Sequence, residues 1–333
     1  MTTPDLRPLR YLSAADVMAA MPDLDARLDL AERTMTALVA DAELPPKIGI
    51  HPRPDDSAVH AMPAFLRGAD GTGRDDRIGM KWVAIFPSNN AIGLPAIHGL
   101  VVLNDALTGR PQAILDGGPI TALRTAAISG AAIRRFAPIV TGRAPRAALI
   151  GAGIQGHGHL PVLGRLLPGV AVSLFDRHPD RLETLAAAAR TTDGIGGVTS
   201  APDARSAIAD ADVVVTTASF GPARQVMTSD WLTDDALVVP VDYATFCAAD
   251  VARGAALFLV DDREQFLANR DAGLFDGYPD PTAMLGEAFL AGTPRPATGR
   301  VVATHLGVGL ADVILASAVL ERAESLGLGV ELP

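Results

Sequence analysis

Five stretches of the chain place reactive residue types where packing alone does not call for them. "ALIGAGIQG", residues 148–156, runs an apolar segment into Gly151, Gly153 and Gly156. Glycines at that spacing let a strand turn tightly into a helix and let backbone approach a pyrophosphate, although a plain strand-to-helix turn reads the same way. "SLFD" sets Asp176 twenty residues beyond Gly156, where an acid ending the next strand accepts from ribose hydroxyls. Lys81 lies inside the apolar "RIGMKWVAIF". Desolvation there brings an ammonium into proton-transfer range, unless the side chain snorkels from a strand end. Arg124 in "TALRTAAISGAA" offers a planar fork to a carboxylate, or is a helix-surface arginine. Asp242 closes "VVPVD" at the carboxyl edge of an expected sheet, where ligands of such folds bind; the alternative is a cap or loop carboxylate.

Elements that must position these residues follow from periodicity. Ser13 and Asp16 form a capping-box pattern ahead of a first helix, and a second apolar-periodic stretch runs from Leu24 to Val39. "KIGIH", "AVHAMPAFL", "RIGMKWVAIF", "HGLVVLND" and "PQAILDG" then read as short strands of an antiparallel meander, the last two joined by a turn at Gly109. From Thr121 onward helices and strands alternate, which means crossover units and a parallel sheet covered on both faces. Gly158 and Pro161 fall inside the helix after the glycine loop, and an interior proline predicts a kink there. "LADVILASAVLERAESLG" is a final helix that returns to the first domain. The expected fold is α/β: a doubly wound Rossmann sheet over residues 121–307, plus an α+β domain from residues 1–120 and 308–333.

Composition narrows the partners. A net charge of -10 gives no basic footprint for nucleic acid. The single cysteine, Cys247, excludes an intramolecular disulfide, and the absence of an apolar leader or span points to the cytoplasm. Asp176 favours NAD, because a 2'-phosphate would meet like charge; the adjacent Arg177 and His178 keep NADP open. His60, His98 and His305 lack acidic or cysteine partners at ligand spacing, so no metal is expected. His157 and His159 read as helix-surface residues.

The motifs from "GMKWVAIFPSNNAIGLPAIHGL" through "TALRTAAISGAA" to "IGAGIQG", flanked by "PPKIGIHPRP" and "HLGVGLADV", resemble the ornithine cyclodeaminase and mu-crystallin family. The resemblance implies a homodimer whose N-terminal part, rejoined by the last helix, binds substrate and dimerises beside an inserted Rossmann domain, with the active site between the two. It assigns Lys81 and Asp242 to catalysis, and Lys47, Met62, Lys81 and Arg124 to the substrate, Arg124 gripping its carboxylate. It assigns Thr125, Gly151, Gly153, Ile154, Gln155, Gly156, Asp176, Arg177, Thr217, Ser219, Val241, Leu306 and Gly307 to the dinucleotide. His305 falls in a segment that the resemblance places near the nicotinamide.

Two departures bear on substrate. The family's "PPR" arginine is Lys47 here, a point charge instead of a fork. Its G-K-x-E-L continuation is replaced by "YATFCA", with no acid before Asp250 to meet a distal ammonium. The expectation is therefore NAD(P)-dependent hydride transfer at the α carbon of a small amino or imino acid. Cyclodeamination of a diamino acid, with ammonia release, and a non-catalytic crystallin-like binder are the alternatives; retention of Lys81, Arg124 and Asp242 together favours an enzyme.

Overall fold

Period-two alternation builds the first of two sheets in the computed structural model, which describes residues 8–53, 57–69, 71–219 and 224–332. In chain order the first elements are β1 (Leu9–Leu12), α1 (Ala14–Ala19), α2 (Leu24–Ala40), β2 (Ala42–Glu43), β3 (Ile48–Ile50), β4 (Ala58–Leu66), β5 (Arg77–Ile85), β6 (Ile97–Asn104), β7 (Pro111–Asp116) and α3 (Gly117–Phe136). Strands β4 to β7 form an antiparallel meander. β1 joins its edge, parallel to β7, and β2 and β3 pair with β4. The Ser13 capping box starts α1. α3 begins at Gly117, ahead of the Thr121 that periodicity suggests, because the Asp116 carboxylate accepts from the Gly118 amide at 2.8 Å. Pro119 then falls in the first turn, which needs no amide.

Short apolar runs, buried on both faces in Val213–Thr216, Leu237–Pro240, Leu257–Val260 and Val301–Thr304, make most of the second sheet. Its elements are β8 (Arg146–Ile150), α4 (Ile154–Leu166), β9 (Val170–Phe175), α5 (Pro179–Arg190), β10 (Ile195–Ser200), α6 (Ala204–Ile208), β11 (Val213–Thr216), β12 (Leu237–Pro240), α7 (Ala249–Arg253), β13 (Leu257–Val260), α8 (Arg263–Asp271), β14 (Ala283–Met284), α9 (Leu285–Leu290) and β15 (Val301–Thr304). All pairings are parallel, in the order β10-β9-β8-β11-β12-β15-β13-β14. The order reverses direction between β8 and β11, and such a switch point opens a crevice at the carboxyl ends of the strands. Helix α4 passes through Pro161 without ending there. One core cluster of this sheet gathers Phe246, Phe258, Phe266, Phe275 and Tyr278 with the strand valines, each large side chain worth roughly 1.5–3 kcal/mol of burial.

The chain closes with α10 (Gly309–Leu326) and β16 (Val330–Leu332), which pairs with β1. α10 packs on β4, β5, β6 and α2. Two compact units result: Met1–Arg124 with Val308–Pro333, and Thr125–Gly307. The division falls inside α3 at Arg124 and not at residue 120, because the helix runs unbroken across it.

Candidate active site

In the first unit Lys81 occupies the middle of a row that crosses the sheet. Met62, Lys81, Val101, Leu115 and Leu12 stand side by side in register, all buried and all apolar except the lysine. α10 lies over this row. A Cβ on Gly309 would stand 2.5 Å from the Met62 carbonyl oxygen, so glycine is what admits the first helical turn so close to β4. Asp312, three residues on, shares that helix face and reaches the register partner of Met62. Its Oδ2 lies 2.7 Å from Lys81 Nζ, and its Oδ1 accepts from Arg124 Nε at 3.1 Å. Asp312 is wholly buried, and Lys81 and Arg124 are 2% and 8% exposed.

Electrostatics of this triad are set by burial and by the pairing itself. Burial pulls the Lys81 ammonium down to about 7, with Asp312 opposing and Arg124 and Lys47 adding to the shift. For Asp312 burial acts upward, but Arg124 and Lys81 outweigh it and hold the carboxyl below its usual range. A lysine poised near neutrality transfers protons efficiently in either direction. Arg124 meets Asp312 through Nε, so that contact does not use the terminal fork that grips a carboxylate end-on. Lys47 precedes β3, half-buried, and Met62 is buried beneath α10.

The second unit contains the glycine loop at the switch point. Gly151 has φ +107°, and a Cβ there would stand 2.6 Å from the Thr217 carbonyl oxygen. At Gly156 a Cβ would meet the Gly151 carbonyl oxygen at 2.2 Å. Gly153 differs: it caps α4 without a side-chain bond, and a Cβ there would meet nothing within 4 Å. Open space before uncapped helix amides is what a phosphate requires. Gln155 Oε1 is buried beside it with no donor among the described residues. Asp176 follows β9, accepting from Ala152 N at 2.7 Å and from His178 N at 2.8 Å. Arg177 and Ile154 are exposed. These residues fit a dinucleotide.

Thr217 Oγ1 donates to the carbonyls of Ile150 and Gly151 at 3.1 Å each, and Ser219 stands exposed two residues on. Asp242 Oδ1 accepts from Thr216 Oγ1 at 3.0 Å and Oδ2 from Ala218 N at 2.8 Å. The carboxylate thus ties down the segment from Thr216 to Ala218. Burial pushes it up to about 7 against those two donors. Val241 N donates to Thr216 O at 2.8 Å. Past β15, Leu306 O accepts from Tyr243 Oη at 3.3 Å, and Gly307 N donates to Asp261 Oδ2 at 2.7 Å. Thr125 is buried in α3.

His159 overturns its surface reading: it is fully buried. Its Nδ1 lies 2.6 Å from Gln155 O, its Nε2 2.8 Å from Ser129 Oγ, and Ser129 Oγ 2.9 Å from His305 Nε2. Burial pulls His159 down to about 4 despite the carbonyl, so the ring is neutral near pH 7. The carbonyl then requires a proton on Nδ1, Ser129 donates to Nε2, and His305 Nε2 donates to Ser129. Among the described residues no group of three His, Cys, Asp or Glu is placed to hold a metal ion. Sequence reasoning missed Asp312 and Ser129. The signal for Asp312 was an acid inside the apolar "GLADVILASAVL".

The model of the Ornithine cyclodeaminase/mu-crystallin family matches residues 12–265. Over 331 residues the chain is 35% identical to the nodulation efficiency protein NfeD of Rhizobium meliloti, covering 97% of this chain and 98% of that protein. The solved iminosuccinate reductase of Paracoccus denitrificans, in complex with NAD+, aligns with a TM-score of 0.78 and 25% identity over 98% of this chain and 100% of that one. A Delta(1)-pyrroline-2-carboxylate reductase of Thermococcus litoralis, in complex with NADH and L-proline, aligns at 0.84 with 22% identity over 97% and 100% of the two chains, a likeness of fold.

Proposed function

The chain belongs to the ornithine cyclodeaminase/mu-crystallin family, and from that premise we propose that it is an NAD-dependent imine reductase, or in reverse an amino-acid dehydrogenase, acting on a small α-amino or α-imino acid. The observation that carries this reading is the buried cluster of Lys81, Arg124 and Asp312. Arg124 binds the substrate carboxylate and so fixes the neighbouring carbon. Lys81 gives a proton to the imine nitrogen as the carbon–nitrogen π bond breaks and a hydrogen is added to the α carbon. Asp312 holds both cations in place. The dinucleotide, when bound, supplies the hydride, or takes it in the reverse direction. Gly151, Gly153, Gly156 and Gln155 hold its phosphates and ribose, and Asp176 favours NAD over NADP by like-charge repulsion. A pure binder gains nothing from a lysine poised near neutrality.

The first sheet supports a homodimer. Its inner face is covered by helices, whereas its outer face carries Ile48, Ala61, Trp82 and Leu100 as one row across β3, β4, β5 and β6. Ile48, Trp82 and Leu100 are 61%, 46% and 40% exposed. An apolar strip of that kind on an antiparallel sheet is buried by a second copy. A cytoplasmic location fits the lone buried Cys247, and among the described residues no helix is long and apolar enough to cross a membrane.

The test is an absorbance assay. NADH oxidation with pyruvate plus ammonium, oxaloacetate plus ammonium and cyclic imino acids is compared with proline and ammonia release from L-ornithine and catalytic NAD. Imine-dependent oxidation is expected. Proline formation without any imine-dependent oxidation would reverse the assignment in favour of cyclodeamination.

A further inference from the structure

The segment that leaves β15 is held more firmly than a connection requires. His305, Leu306 and Gly307 stand at the carboxyl edge of the second sheet, on a strand that lies between β12 and β13. Connecting segments are ordinarily the mobile part of a fold, yet each of these three residues is bonded by a side chain from elsewhere in the same unit. His305 Nε2 lies 2.9 Å from Ser129 Oγ of α3, and Leu306 O accepts from Tyr243 Oη at 3.3 Å. Gly307 is held at both ends of its peptide: its N donates to Asp261 Oδ2 at 2.7 Å and its O accepts from Gln265 Nε2 at 3.3 Å. Tyr243 is itself at φ +58° and Gly307 at φ +80°, and a non-glycine residue persists in that region only where its surroundings over-determine it.

Asp261 is the centre of this arrangement. It is wholly buried just past β13, and its Oδ1 accepts from Asp262 N at 2.9 Å while Oδ2 takes Gly307 N. Asp262 in turn caps α8, accepting from Gln265 N at 2.6 Å. The start of α8 and the outlet of β15 are thereby fixed to one another. Asp176, past β9, lies on the side of the switch point that takes the adenine ribose, so a dinucleotide laid across the crevice runs its other half over β11, β12 and β15. We propose that Asp261 and Gln265 are positioning residues for the nicotinamide half of the dinucleotide, orienting it through the peptide groups of residues 305–307. The proposal rests on the dinucleotide reading of the glycine loop and adds two residues that neither the glycine fingerprint nor the family resemblance assigns. A carboxamide has a donor N–H₂ and an acceptor oxygen, which a peptide segment pairs well only when its own N–H and C=O point in set directions. Asp261 is enclosed, so it acts through Gly307 and does not meet the ring.

Calorimetric titration of NADH and of ADP-ribose, which lacks the nicotinamide ring, separates the two halves of the site. The native protein is expected to bind NADH more tightly by about 3–10-fold, the scale of one hydrogen bond. Asp261→Asn sets an amide donor against one of two backbone N–H groups, and should lower NADH affinity toward that of ADP-ribose while ADP-ribose binding stays as it was. A merely structural role would weaken both ligands alike, so equal weakening, or none, would overturn the proposal. Should Asp261→Asn fail to fold, Gln265→Met decides, because it removes the donor to Gly307 O and leaves the bonds of Asp261 and Asp262 in place: a loss confined to NADH sustains the proposal, and an unchanged NADH affinity removes it. A native protein that binds NADH and ADP-ribose equally would also overturn it while leaving the dinucleotide reading intact. One that binds neither would remove that reading as well.

Discussion

The proton affinity of Lys81 is set by a contest between burial and Asp312, and under the proposed reaction that contest has measurable consequences. Reduction needs the ammonium form, which is full below about pH 7 and lost above it. kcat/KM for imine reduction should therefore be flat at acid pH and fall about tenfold per pH unit above the break, with amino-acid oxidation rising over the same interval. Lys81→Met should cost about 10²–10⁴-fold in kcat and leave NADH binding, measured by fluorescence, in place. Asp312→Asn removes the charge that holds Lys81 up, so the break should move to lower pH. The same change strands two buried cations and should lower unfolding stability in urea by about 3–5 kcal/mol; an unshifted pH break would deny Asp312 its electrostatic role. At this scale the sequence was partly legible. Lys81 and Arg124 stand out because apolar neighbours make a charge costly. Asp312 is as anomalous in "GLADVILASAVL", but an acid in a first helical turn has an ordinary explanation in the helix dipole. His159 was misread because one helix cannot say which of its faces another will cover. Only the packing of α3, which brings Ser129 to within 2.8 Å, makes it interior.

Among elements, most strands were readable, long or short, and a few were not. β4 and β5 run nine residues each with strong pattern, whereas β10 is "IGGVTS" and β14 two residues long, too glycine-rich or too brief for periodicity to register. The glycine loop shows how an element becomes a site. Gly156→Ala drives a Cβ into the Gly151 carbonyl, and Gly153→Ala enters open space. Gly156→Ala should therefore lower stability by about 1–3 kcal/mol and weaken NADH binding together. Gly153→Ala should keep the melting temperature and still weaken NADH binding, since its methyl occupies the room a phosphate would take. Equal NADH affinity in Gly153→Ala and the native protein would move the phosphates elsewhere. Ser129→Ala probes α3 against α4 and the His305 segment. It leaves two buried imidazole nitrogens without the hydroxyl they share, a loss of about 1–3 kcal/mol that thermal unfolding would show, and retained stability would mean that water replaces the hydroxyl.

At the scale of the molecule, the return of the last helix to the first unit was foreseeable from its apolar face, while the exact boundary was not, since no linker marks it: α3 carries the chain from one compact unit into the other. The outer face of the first sheet is the feature with most to say about assembly. An antiparallel sheet with one face on a core usually alternates apolar-in with polar-out. Here β5 departs from that rule, with Ile78 and Trp82 outward while Lys81 points inward. The inversion makes sense if the inward face serves chemistry and the outward face meets a second copy. Introducing carboxylates at the centre of the row is the direct check. Trp82→Glu with Leu100→Glu places like charges on two register partners, and at a two-fold interface each also approaches its symmetry mate, so desolvation and repulsion act together. Light scattering should report a dimer for the native chain and a monomer for the double variant at the same micromolar concentration. Both mutated side chains point away from the row that contains Lys81, so the monomer should keep its circular dichroism spectrum, and its NADH titration would show whether the dinucleotide site stands without the partner. A native chain that is itself monomeric, or a double variant that remains dimeric, would remove this face from the interface and require another occupant for its exposed Ile48, Trp82 and Leu100.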